Sequence, residues 1–202
     1  HAKVIGNHVK GDAKQEASSG NAVHTWYSNY ALIKDNMLLN HRDGIYLEFV
    51  EHSEIENNWS EGNIRYGLHF MFSHHDTYRN NTFKNNGSGV AVMFSNRVNM
   101  FNNVFEDNWG DASYGLLLKD IKDSQLTGNL FKRNTTAIQA DNAMRISMTM
   151  NTFESNGWAM KILGNCMENT IIKNNFISNS FDISTNSSYN HNIFDHNYWN
   201  GY

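Results

Sequence analysis

Asparagine recurs in this chain as part of a phrase. N-x-F-x-x-N, with small variations, reads NTFKNN from Asn81, NVFEDN from Asn103, NLFKRN from Asn129, NTFESN from Asn151, NNFISN from Asn174 and NIFDHN from Asn192. Weaker copies begin at Asn7, Asn36 and Asn58, and the nine starts lie 29, 22, 23, 22, 26, 22, 23 and 18 residues apart. A period near 22 residues with short apolar runs and Asn/Gly turns is the mark of a solenoid, and the strand-rich runs select a parallel β-helix. No L-x-x-L-x-L phrase supports a leucine-rich repeat, and the three- and four-residue apolar spacing of a helical repeat is missing. The expected fold is therefore all-β, with about 22 residues per coil and about 8–9 coils.

Composition agrees with stacked strands. The chain has 32 asparagines in 202 residues and no proline. Asparagine tolerates left-handed turns and can stack in ladders, whereas proline would remove a ladder hydrogen bond. The length and 40% hydrophobic content suit a single β-helix domain over residues 1–202, with polar, glycine-rich loop insertions near 10–21 and 108–114. A net charge of −4 and the lack of a basic run argue against nucleic acid and an anionic membrane as partners. Cys166 is the only cysteine, so neither an intrachain disulfide nor a C-x-x-C site can form. No 18-residue apolar stretch occurs, and the chain opens at His1 without a signal-peptide pattern, which predicts a mature product or a fragment of a longer chain.

A second landmark keeps step with the first. A small residue opens an alternating segment in AVHTWY from Ala22, GIYLEF from Gly44, GLHFMF from Gly67, GVAVMF from Gly89 and GLLLKD from Gly115. Alternate residues of a strand face opposite sides. One parity collects Ile45, Leu47 and Phe49, then Leu68, Phe70 and Phe72, then Val90, Val92 and Phe94, then Leu116 and Leu118, which predicts a core column. Burying each is worth roughly 1.5–3 kcal/mol, which sets the orientation. The other parity then faces out as two columns, His24, Tyr46, His69, Ala91 and Trp26, Glu48, Met71, Met93.

Imidazole, thioether, carboxylate and indole together suit Cu(I), a soft ion, better than Mg²⁺ or Ca²⁺, which want several carboxylates. The candidate ligands are His69, Met71 and Met93, with Glu48 and His24 beside them, while Trp26, Tyr46, His52, His74 and His75 are candidates for partner contact. The same residues fit the alternative of solvated side chains on a plain scaffold. Carbohydrate chemistry is the main rival, as a polysaccharide-binding module or as a lyase- or epimerase-like enzyme. Glycoside hydrolysis needs paired carboxylates, and the stripe supplies only Glu48. A lyase or epimerase needs a base such as His69 or Tyr46 beside a cation, and Lys119 lies two coils from His69.

GNAVHTWYS, HRDGIYLEFVEHSEIENN, IRYGLHFMFSH, TYRNNTFKNNGSGVAVMFSNRV, YGLLLKD and the closing NYWNGY resemble the NosD family, periplasmic maturation factors of nitrous-oxide reductase with repeats of the CASH type. The resemblance is strongest over residues 20–120. It implies a right-handed β-helix in the periplasm, not an enzyme, that helps to supply the copper site of nitrous-oxide reductase. The partners it implies are the ABC transporter subunits NosF and NosY, the copper chaperone NosL and the reductase, with Cu(I) bound transiently. It also implies that this chain is shorter than the family's own.

Overall fold

The computed structural model describes residues 1–189 and 191–201; Asn190, and Tyr202 at the end of NYWNGY, lie outside the described residues. Each full coil carries three short strands. In the second coil they are Val23–Trp26, Leu32–Lys34 and Met37–Leu39, and in the third Asp43–Glu48, Glu54–Glu56 and Trp59–Glu61. Every strand pairs in parallel with its equivalent in the next coil, in the register Val23↔Ile45, Ile45↔Leu68, Leu68↔Val90 and Val90↔Leu116. The stack is a right-handed parallel β-helix of about eight turns. A single 3₁₀ turn, Glu16–Ser18, interrupts the described chain between the first and second coils.

Four bends turn each of coils two to seven, and left-handed residues make them. They include Asp35, Asn57, Asn80 and Asn102 at one corner, and Asn40, Gly62, Asn85 and Asp107 at another, all with φ between 51° and 69°. The residue after each bend points inward and must satisfy its polar groups without water, and asparagine does this by laddering. Asn58 Oδ1 accepts from the Asn36 backbone N–H at 3.0 Å and from Asn36 Nδ2 at 2.9 Å, while its own Nδ2 donates to Ile33 O and Asn81 Oδ1, both at 2.9 Å. Each buried amide is thus fully paired, which avoids a penalty of about 1–3 kcal/mol per orphaned group. The ladder runs from Asn7 through Asn36, Asn58, Asn81, Asn103, Asn129, Asn151 and Asn174 to Asn197.

That last step corrects the sequence count. NIFDHN from Asn192 is one strand out of register: Asn192 bonds Asn169 on a different ladder, and the partner of Asn174 is Asn197, 23 residues on. Trp199, two residues after Asn197, takes the phenylalanine position and stacks on Phe176 at 4.1 Å. The interior phenylalanines Phe105, Phe131, Phe153 and Phe176 form a face-to-face column with ring centroids 4.4–5.0 Å apart. The small residue opening each long strand is also explained, because a Cβ on Gly67 would sit 2.7 Å from Gly89 O.

Ile45, Leu47, Leu68, Phe70, Val90, Val92, Leu116 and Leu118 are fully buried, as the alternation predicts. Phe49, Phe72 and Phe94 are not core. At these positions φ is 53°, 50° and 51°, so the extended conformation ends one residue early and the side chain swings out. Phe72 and Phe94 are 41% and 40% exposed. Parity holds only while the backbone stays extended.

Candidate functional site

The columns of coils two to five lie in the expected register, His24↔Tyr46↔His69↔Ala91 and Trp26↔Glu48↔Met71↔Met93, but Ala91, expected to face out, is fully buried. Met71 and Met93 are partly buried neighbours on adjacent coils. Successive coils are about 4.8 Å apart, so the two side chains lie next to each other. His24 is exposed, and its Nε2 lies 3.8 Å from Glu48 Oε2. Two coils, or about 9.6 Å of backbone rise, separate His24 from Met71, too far for one shared ligand sphere. Met71 and Met93 are therefore neighbours, Glu48 lies one coil from Met71 and close to His24, and the fifth candidate, His69, stands in the adjoining column.

His69 departs from its expected role as an open ligand. It is only 3% exposed, because Tyr46 stacks on its ring at 4.7 Å and Tyr66, at the start of the same strand, tilts against it at 4.9 Å. Neither ring nitrogen has a hydrogen-bond partner, and the nearest carboxylate oxygen, Asp43 Oδ2, stands 3.8 Å from Nδ1. Asp43 is itself buried and holds the Arg65 guanidinium in a two-pronged ion pair, with Nε to Oδ1 at 2.8 Å. Burial pushes the Asp43 carboxyl up, but Arg65 and His69 outweigh it and hold the group below the usual carboxylate range. Burial, and then Glu48, push the Tyr46 phenol above its ordinary value, so it stays protonated near neutral pH.

Two of the corners follow each long strand in coils two to five, three residues apart, and their side chains form ridges along the helix axis. Tyr27, Phe49, Phe72 and Phe94 stack at 4.7, 5.2 and 5.0 Å, and Tyr30, His52 and His75 at 5.3 and 4.9 Å. Every ridge residue has positive φ. Bulky residues avoid this region at a cost of about 1–2 kcal/mol each. Between the ridges runs a cleft of about 490 Å³ lined by Tyr27, Asn29, Phe49, Glu51, Phe72 and His74. His74 Nδ1 accepts the Asn96 backbone N–H at 3.1 Å, which places the imidazole proton on Nε2. Metal binding through Nε2 would need that proton on Nδ1, facing another donor, so His74 is poorly set up as a metal ligand. His75 Nε2 lies 3.4 Å from Arg97 Nη1. Among the described residues, no cluster of three or more His, Cys, Asp or Glu side chains has the geometry to hold a metal ion.

Sequence reasoning missed the aromatic ridge and the Asp43–Arg65 pair. The serines at Ser73 and Ser95, directly after Phe72 and Phe94, were the available signal, since Ser marks turns.

The profile of the family described as "Periplasmic copper-binding protein (NosD)" matches residues 5–202. This chain belongs to the NosD family. No functionally curated protein matches the sequence. Among solved structures, NosD-type coils like these superpose on the periplasmic alginate epimerase AlgG with a TM-score of 0.72 and 12% identity, over 84% of this chain and 50% of that one. Tailspike protein 2 of Escherichia coli O157:H7 bacteriophage CAB120 gives 0.70 and 10%, over 96% and 35%. The Azotobacter vinelandii mannuronan C-5 epimerase AlgE4 A-module gives 0.58 and 17%, over 83% and 57%. At these identities the likeness shows the fold alone, and the chain spans between about a third and three fifths of those proteins. Among the described residues no helix is long and apolar enough to cross a membrane.

Proposed function

We propose that this NosD-family chain receives Cu(I) as cargo at Met71 and Met93 and hands it on during assembly of the copper site of nitrous-oxide reductase. The observation that carries this reading is the pair of thioethers facing out in register on adjacent coils. Sulfur ligands suit Cu(I), and two protein donors leave the ion open to a third from a partner. An open ligand sphere fits transfer better than storage. Glu48, one coil from Met71 as Met93 is, and His24 beyond it can offer the ion a path along the same face. In this reading the protein works in the periplasm with a NosF- and NosY-type ABC transporter and a NosL-type chaperone.

The geometry supports sugar epimerisation less well. Arg65 is paired with Asp43, and the exposed Lys119, which follows Met93 in its column, lies two coils from His69. A base must be deprotonated and reachable, whereas Tyr46 stays protonated and His69 is closed over. The ring faces of Phe49 and Phe72 are taken up by stacking, which leaves their edges for contact.

Anaerobic Cu(I) titration against a competing chelator tests the reading. Met71→Leu and Met93→Leu are each expected to weaken binding by about tenfold or more, as loss of one of few soft donors implies. His69→Ala is expected to leave the affinity unchanged. Wild-type affinity in both methionine variants would remove this pair from the pathway.

A further inference from the structure

Glu51 differs from the paired acidic side chains of the outer surface. Asp107, Asp123, Glu106 and Glu154 each pair with an arginine or lysine within 2.5–3.2 Å. The Glu51 carboxylate has no hydrogen-bond or ion-pair partner among the described residues, although it lies in the cleft between the two ridges. Segments 22–31, 44–53 and 67–76, which build the cleft and its rims, contain Glu48, Glu51 and the buried Asp76 but no lysine or arginine. The walls are the ring edges of Tyr27, Phe49 and Phe72, so they offer apolar contact to a stem and leave the charge to be met by the floor.

From this arrangement the geometry points to a docking slot for a basic side chain, arginine or lysine, carried on the apolar face of a partner protein. Its alkyl stem lies along the aromatic ridge, and its cationic head pairs with Glu51. Asn29 and His74 complete the floor. Burial holds the His74 imidazole below its ordinary range, so near neutral pH it places no competing positive charge beside Glu51. Long cationic side chains suit such a slot because their methylenes bury while the head stays hydrated. The strained φ of Phe49 and Phe72 supports the same conclusion, since strain of this kind collects at binding sites. The slot is independent of copper and of Met71 and Met93.

The test is an NMR titration of the chain with the peptide acetyl-Leu-Arg-Leu-amide and with its neutral citrulline counterpart, each to millimolar concentration. The arginine peptide is expected to shift the Glu51, His74 and Phe72 signals saturably, and the citrulline peptide is not. Glu51→Gln should weaken the arginine peptide by about fivefold, the scale of a part-exposed ion pair, while Glu154→Gln on another face leaves it unchanged. Equal binding of the two peptides, equal binding by Glu51→Gln, or no saturable shift in the wild type overturns the proposal. Melting curves for each variant separate lost binding from lost folding.

Discussion

The same corner is built in two ways along this helix. In coils two to five its left-handed position carries Tyr27, Phe49, Phe72 and Phe94, and in coils six and seven it carries Asp120 and Asn142. The neighbouring corner changes in the same manner, from Tyr30, His52 and His75 to Arg97, Asp123, Arg145 and Glu168. The backbone bends identically in both halves, with φ between 46° and 59° throughout. Asp and Asn occupy that region at less cost than Phe or Tyr, so the turn does not call for a ring. In the second half the corner side chains bond one another, as with Asn142 Nδ2 to Asp120 Oδ1 and Arg145 Nε to Asp123 Oδ1, both at 2.6 Å. The first half leaves its rings open to solvent on the face that also holds Met71, Met93 and Glu51. The comparison separates what the scaffold requires from what the face presents.

The largest expected effect breaks what the halves share. Asn103→Ala leaves the Asn81 backbone N–H without its acceptor and removes the bonds to Asn81 Nδ2, Tyr78 O and Asn129 Oδ1, so it should cost roughly 3 kcal/mol or more in urea unfolding. A loss below about 1 kcal/mol would mean that the ladder is not the common support.

Next in size is Asp76→Asn, which converts a ladder member of the first half into the residue found at Asn169 in the second. Asp76 accepts from the Ser53 N–H at 2.7 Å, but its Oδ2 is buried and unpaired. Burial pushes its pKa up from 3.8 to about 8. The folded state therefore favours the protonated form. That contribution is fully present below pH 3.8 and drains away as pH rises through about 8. Wild-type stability should fall across this window relative to Asp76→Asn, leaving the variant ahead by about 2 kcal/mol or more at pH 8. Parallel pH profiles for the two chains would contradict the assignment.

Exchanging corner residues between halves sharpens the contrast. Phe72→Asn should change stability by less than about 1 kcal/mol, since lost stacking offsets relieved strain, yet abolish the response to the arginine peptide. Asn142→Phe should destabilise by about 1 kcal/mol without creating any such response. The smallest effect belongs to Arg145→Met, whose exposed ion pair should leave the melting temperature unresolved from wild type at physiological salt.

Much of this was legible in the sequence, and the gaps have physical causes. The 22-residue spacing and the paired small-residue landmark suffice for the fold and for the stacking of Met71 on Met93, because parallel register repeats with the period. The ends of the strands are less legible. Phe49, Phe72 and Phe94 continue the alternation on paper, and only a backbone torsion moves them to the surface. His69 shows the converse. Its parity and its column with Tyr46 are right, but Tyr66 of its own strand also closes over it, and alternation does not tell how far neighbouring rings will cover an outward side chain. Asn192 shows that a matching phrase can sit on the wrong ladder when the chain uses several asparagine columns.

The stacked corners also set a length scale for whatever lies against them. Their rings mark the axis like a ruler with divisions of about 4.8 Å. An α-helix laid along that ruler advances about 5.4 Å per turn, so it gains about 0.6 Å on each division and falls half a division out of step after about four turns. A straight helical partner can therefore keep phase with Tyr27, Phe49, Phe72 and Phe94 over those coils but not far beyond them.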